Sequence, residues 1–127
     1  MGDFAIVGEG ITDQVVLKSI ILAYHRDRAL EPDVLFEQPP LDTTGMAGLD
    51  PEPGGWTLVV KYLQDRKYLQ ALQLNRYVVI QIDTDIAGDL GVPRSATVTD
   101  EEFIEAVIQN LRSYIAQEDR PLVEDRI

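Results

Sequence analysis

The sequence predicts an α/β domain: a small three-layer fold with a parallel sheet flanked by helices. Three observations carry that prediction. Short apolar runs alternate with longer amphipathic ones, in the order strand, helix, strand, loop, helix, strand, loop, helix. The run from Tyr77 to Ile82 is almost wholly apolar and β-branched on consecutive positions, the pattern of a buried strand covered on both faces. Glycine-bearing turns follow the first and third strand candidates, as crossover units require. Its 127 residues suit one domain with one modest core, and the crossovers are expected to be right-handed.

Phe4 to Val7 is the first strand candidate. Gly8-Glu9-Gly10 follows as a tight turn that fixes Glu9 in an exposed position. Thr12 is the expected N-cap, with Asp13 in the first turn of a helix running to about Arg26. Val16, Leu17, Ile20, Ile21 and Tyr24 are its expected buried stripe, widened by Val15 and Leu22. Pro32 ends that region, and Asp33 to Glu37 holds the second strand, Val34-Leu35-Phe36. Residues 38–55 are rich in proline and glycine and read as a loop, long for a compact domain and of the kind that serves as a lid. This loop carries Asp42, Asp50 and Glu52 and no basic residue, so it is poorly suited to gripping phosphate.

Trp56 to Leu74 resumes helical spacing, with Leu58, Tyr62, Leu69 and Leu72 on one side and Val59, Leu63 and Leu74 nearby. Asn75-Arg76 turns the chain into the central strand, Tyr77 to Asp85, and a glycine-rich loop from Ile86 to Pro93 follows. Thr99 and Glu102 form a capping box for a helix reaching about Gln117. Ile104, Val107, Ile108, Leu111 and Ile115 make its stripe, extended by Phe103 and Tyr114. Glu118 to Ile127 reads as a loop or a short ragged helix. A sheet this small often has another strand; none follows the last helix, which predicts a domain truncated at its carboxyl end.

Acids outnumber bases 22 to 11, giving a formal charge of −11. That opposes broad, unaided binding to nucleic acid, which normally uses a basic face. It leaves room for an enzyme that reaches phosphate through metal ions, or for a protein partner that supplies the basic surface. The absence of cysteine excludes disulfides and thiolate metal sites. No apolar run is long enough to span a membrane. The amino terminus enters a strand-like segment with no basic region before it, so no secretory leader and a cytoplasmic location are expected. His25, the only histidine, is expected on the surface at a helix end, and Trp56 as a core or lid anchor.

The chemistry-bearing residues are acids. Asp83 and Asp85 are two apart and point the same way if strand geometry persists. Paired carboxylates repel each other, and a divalent cation removes that cost. Ligands in open α/β sheets gather beyond the carboxyl ends of strands. Glu9 follows the first strand and Asp83 and Asp85 the third, so the three acids meet if those strands are neighbours. Oxygen donors of this kind suit Mg²⁺ or Mn²⁺, and Asp89 adds a further ligand or an outer contact. In a metal-free reading these are solvated strand-end acids, favourable near a helix N-terminus without any catalysis. Gly8 and Gly10 do not have the spacing of a dinucleotide fingerprint, and there is no Walker lysine motif.

The set Val7-Gly8-Glu9-Gly10-Ile11-Thr12-Asp13, a helix, then Ile82-Asp83-Thr84-Asp85 resembles the Toprim domain of topoisomerases, primases and OLD-type nucleases. It is most similar to small bacterial Toprim-like proteins with a glycine-rich loop before the second helix, matched here by Gly54-Gly55-Trp56. The similarity covers about residues 4–92. It implies a Toprim, Rossmann-like fold and phosphodiester chemistry on DNA or RNA. Under it Glu9 is a general acid or base or a metal ligand, Asp83 and Asp85 hold Mg²⁺, and Asp89 lies near a further acid. OLD-type nucleases pair the domain with an ATPase and use a late lysine; no lysine follows Lys67, and Arg94, Arg112, Arg120 and Arg126 are loose substitutes. The expected function is divalent-metal-dependent phosphodiester hydrolysis on nucleic acid. The alternative is a non-catalytic regulatory or protein-interaction module with a degenerate or structural metal site.

Overall fold

The structure, a computed structural model, describes residues 1–26, 31–39 and 55–127. Most of the predicted loop over 38–55, including Asp42, Asp50, Glu52 and Gly54, lies outside the described residues. Among the described residues the sheet has three strands in the order β2-β1-β3, with β1 at Gly2–Val7, β2 at Val34–Gln38 and β3 at Asn75–Ile80. Both pairings are parallel, with Ala5 opposite Leu35 on one side and Val78 on the other.

The central strand is therefore β1, where Ala5, Ile6 and Val7 have no exposed surface. The expectation that Tyr77 to Asp85 forms the central, doubly covered strand is corrected: β3 is an edge strand, ends at Ile80, and leaves Tyr77 44% exposed. Its outer edge is covered by the chain's own carboxyl end. Val78 N–H donates to the Arg126 carbonyl at 2.8 Å, and the Arg126 guanidinium binds the carbonyls of Leu72, Asn75 and Arg76. An edge covered this way selects the same apolar run as an interior position.

Strand alternation sorts the core. Ala5, Val7 and Val78 face one side, where they pack with Val59, Tyr62, Leu63, Tyr68, Ala71 and Leu72. These come from α2 (Gly55–Gln64) and α3 (Tyr68–Leu74). A single helix over 56–74 is not what forms: Arg66, at φ 58°, breaks it with a left-handed residue. Arg66 carries no left-handed preference that a sequence would reveal. Its guanidinium instead binds Asp119 through two hydrogen bonds of 2.8 and 2.7 Å. Tyr68 Oη donates to the same buried carboxylate at 2.5 Å. Arg66 and Tyr68 together hold the Asp119 carboxyl below the usual range. The predicted ragged tail is thus a stapled segment, with a 3-10 turn at Gln117–Asp119 and α5 at Arg120–Val123.

The opposite face of the sheet carries α1 (Ile11–His25). Gln14 Nε2 donates to the Ile6 carbonyl at 3.3 Å, and Phe4 packs on His25 and Tyr77. Two expectations for this helix are corrected. It begins at Ile11, with extended Gly10 at the N-cap position and Thr12 inside the helix. The predicted buried stripe is largely exposed: Val15, Val16, Ile20 and Tyr24 stand 48%, 52%, 58% and 65% open. The helix is apolar on nearly all sides, so periodicity cannot choose a face; Gln14 is its buried residue.

Thr99 caps α4 (Asp100–Ser113) as predicted, its Oγ1 accepting the Glu102 N–H at 3.2 Å. The buried positions of α4 are Phe103 and Val107, while Ile104 and Ile108 are exposed. Among the described residues, no helix is long and apolar enough to cross a membrane.

Candidate functional site

The strand order places the turn after β1 beside the segment that follows β3. Gln81 N–H donates to the Val7 carbonyl at 2.8 Å, carrying the backbone pairing one residue past β3. The two chains then diverge into their acidic segments. Glu9 is half-buried, and Asp83 N–H donates to its Oε1 at 3.0 Å. Glu9 and Asp83 are thereby brought together from sequence positions 74 apart.

Strand geometry does not persist through Asp85, so the expected common direction of Asp83 and Asp85 does not come from alternation. Asp83 is extended, with φ −79° and ψ 136°, and Thr84–Ile86 form a 3-10 turn behind it. Asp85 lies in that turn and is exposed. Asp89 is exposed in the next turn and is not among the charges that act on Glu9.

Burial pushes the Glu9 carboxyl above its ordinary range, and the negative charges of Asp83, Asp85 and Asp13 push the same way. The Asp83 backbone N–H opposes them by favouring the carboxylate. Four acids from two segments therefore share one field at the carboxyl edge. Asp13, in the first turn of α1, belongs to that field.

Two further residues shape the site. Gln81 accepts the Glu9 N–H on Oε1 at 3.0 Å and donates from Nε2 to Asp83 Oδ1 at 3.0 Å. Gly55, the first residue of α2, packs against the Glu9 backbone so closely that an added Cβ would lie 2.8 Å from Glu9 Cα. The signal for Gln81 was present in the sequence as one polar residue inside an apolar run, since buried polar groups must find partners. Gly55 gives no comparable signal, because glycine also fits any loop.

The donors at this edge are all carboxylate or carboxamide oxygens, the chemistry Mg²⁺ and Mn²⁺ take. Each of the two bonds above uses one oxygen of Glu9 or Asp83 and leaves the other as a lone-pair donor. Among the described residues, no group of three or more histidine, aspartate or glutamate side chains converges as a ready ligand set. Mg²⁺ commonly takes only one or two carboxylates, completing its shell with water and substrate phosphate, so the donor set fits that ion.

Of Arg94, Arg112, Arg120 and Arg126, two are committed elsewhere among the described residues. Arg94 pairs with Asp100 and lies over Phe103, and Arg126 binds backbone carbonyls. Arg112 and Arg120 are exposed at the far end of α4 and the start of α5. His25 makes its hydrogen bond to the Ile21 carbonyl at 2.8 Å, in keeping with a structural placement.

No family model, curated protein or solved structure matches this chain.

Proposed function

We propose that the chain is a Toprim-like α/β domain whose acidic edge supports divalent-metal-dependent phosphodiester chemistry on nucleic acid, most simply hydrolysis. The observation that carries this reading is the junction of Glu9 and Asp83 at the carboxyl ends of two adjacent parallel strands, within the field of Asp85 and Asp13. Glu9 and Asp83 would supply the direct carboxylates to Mg²⁺ or Mn²⁺, with Asp85 and Asp89 as outer contacts. Such an ion, when bound, polarises a phosphoryl group and neutralises charge on the leaving oxygen. The chain's own part is to hold the carboxylates in place and to manage a proton. Glu9 suits the second task, because burial and neighbouring charge make its carboxyl a weaker acid than usual. The chain's excess negative charge supports leaving the grip on nucleic acid to a partner with a basic surface, such as an ATPase subunit.

A second reading has its own support. The exposed apolar residues Val15, Val16 and Ile20 on α1 favour a protein-interaction module, in which the acids are structural. Calorimetric titration with Mn²⁺ and Mg²⁺ separates the two. The nuclease reading expects saturable binding by the natural chain and its loss in folded Asp83→Asn/Asp85→Asn, followed by metal-dependent cleavage of DNA or RNA that Glu9→Gln abolishes. No binding by the folded natural chain would leave the interaction module standing.

A further inference from the structure

We propose that Gln81 is a positioning residue, whose carboxamide ties Glu9 to Asp83 and sets the spacing of the two acids. The role rests on the reading of this edge as a cation site; the tie itself does not.

Both ends of the carboxamide are used. Oε1 accepts the Glu9 N–H at 3.0 Å, and Nε2 donates to Asp83 Oδ1 at 3.0 Å. The partners fix the orientation of the amide: a backbone N–H can only donate, and a carboxylate can only accept. The Asp83 N–H to Glu9 Oε1 bond, also 3.0 Å, closes a ring through all three residues. The ring is anchored to the sheet, because Gln81 N–H donates to the Val7 carbonyl. Gly8 leaves room for it, since a Cβ there would lie 3.0 Å from Gln81 Oε1.

The residue type matters as much as the place. Glu9 and Asp83 repel each other, and side chains free to rotate would separate. A lysine or arginine at position 81 could bind the Asp83 carboxylate but could not accept the Glu9 N–H, and it would cancel the charge that attracts a cation. A neutral carboxamide binds the Asp83 carboxylate and the Glu9 backbone N–H at once, and leaves the charge of both acids intact. Outer-shell partners of this kind are worth about 10–100-fold in metal affinity when removed.

The test uses the full chain with Gln81→Met, which keeps the length and removes the hydrogen bonds. Amide hydrogen exchange by NMR is read at Glu9, with Ala5 as the core reference, and Mn²⁺ affinity is read by calorimetry. The expected result is Glu9 exchange faster by about tenfold or more, unchanged exchange at Ala5, and a Kd for Mn²⁺ weaker by about tenfold. Unchanged Glu9 exchange overturns the tie. Faster exchange with unchanged Mn²⁺ affinity overturns the positioning role and leaves a structural bond. If the natural chain binds no Mn²⁺, the cation reading and the positioning role fall together, while exchange still decides whether the tie exists. Gln81→Asn covers the case in which Gln81→Met does not fold. It stays neutral but is one methylene too short to reach both partners, so Glu9 exchange speeds up; exchange at the natural rate overturns the tie.

Discussion

Gly55→Ala pits two backbone effects against each other at the edge of the site. Gly55 is the first residue of α2, so the helix-interior preference for alanine of about 1 kcal/mol is an upper bound on the gain. The gain is opposed by a steric conflict, because the new Cβ would lie 2.8 Å from both Glu9 Cα and its carbonyl carbon. Those atoms are main chain and cannot rotate aside. Overpacking of this kind costs about 1–3 kcal/mol. The clash wins, and a net loss of about 1–2 kcal/mol is expected. With a urea dependence of about 1–3 kcal/mol per molar, the midpoint falls by roughly 0.3–2 M. Relief of the overlap must move either the start of α2 or the Glu9 turn, so the Glu9 and Asp83 amide resonances should shift with it. Gly88→Ala is the control, with no atom within 4 Å of its added Cβ, and should stay within about 0.5 kcal/mol of the natural chain. A Gly55→Ala midpoint equal to or above the natural one would refute the close approach of α2 to Glu9.

Two pH predictions have opposite signs. In metal-free protein, the raised Glu9 carboxyl binds its proton more tightly folded than unfolded, so its stabilisation is full below the ordinary 4.5 and is lost as pH rises through the raised value. Glu9→Gln should flatten that fall in denaturant titrations at stepped pH; equal slopes would exclude Glu9 as its source. The Asp119 carboxyl is lowered, so its stabilisation is full above the ordinary 3.8 and is lost as pH falls through the lowered value. Asp119→Asn should lose stability at neutral pH and show a weaker acid limb. It should also speed exchange at the Ala116 amide, which donates to Tyr68 Oη; slow exchange there would show that the carboxyl-terminal segment does not depend on the staple.

Much of the architecture was legible in the chain. The order of elements, the parallel sheet and the Thr99 cap follow from local chemistry: β-branched runs, helical spacing and a side-chain oxygen placed before a helix. The candidate acids were also legible, because Glu9, Asp83 and Asp85 end apolar runs where strands must stop. The sequence by itself determined that Glu9 follows the first strand and Asp83 the third. Only the tertiary structure decided that β1 is central, since an apolar run does not say which of its neighbours covers it. The face of α1 was likewise beyond periodicity, in a helix apolar on most sides. The pairing of Arg66 with Asp119 and the contacts of Glu9 with Gln81 and Gly55 were also beyond local pattern. These are contacts between residues distant in the chain. Local patterns set each segment's own preference; partners across such distances are chosen by how the segments pack and by which buried polar groups must be satisfied.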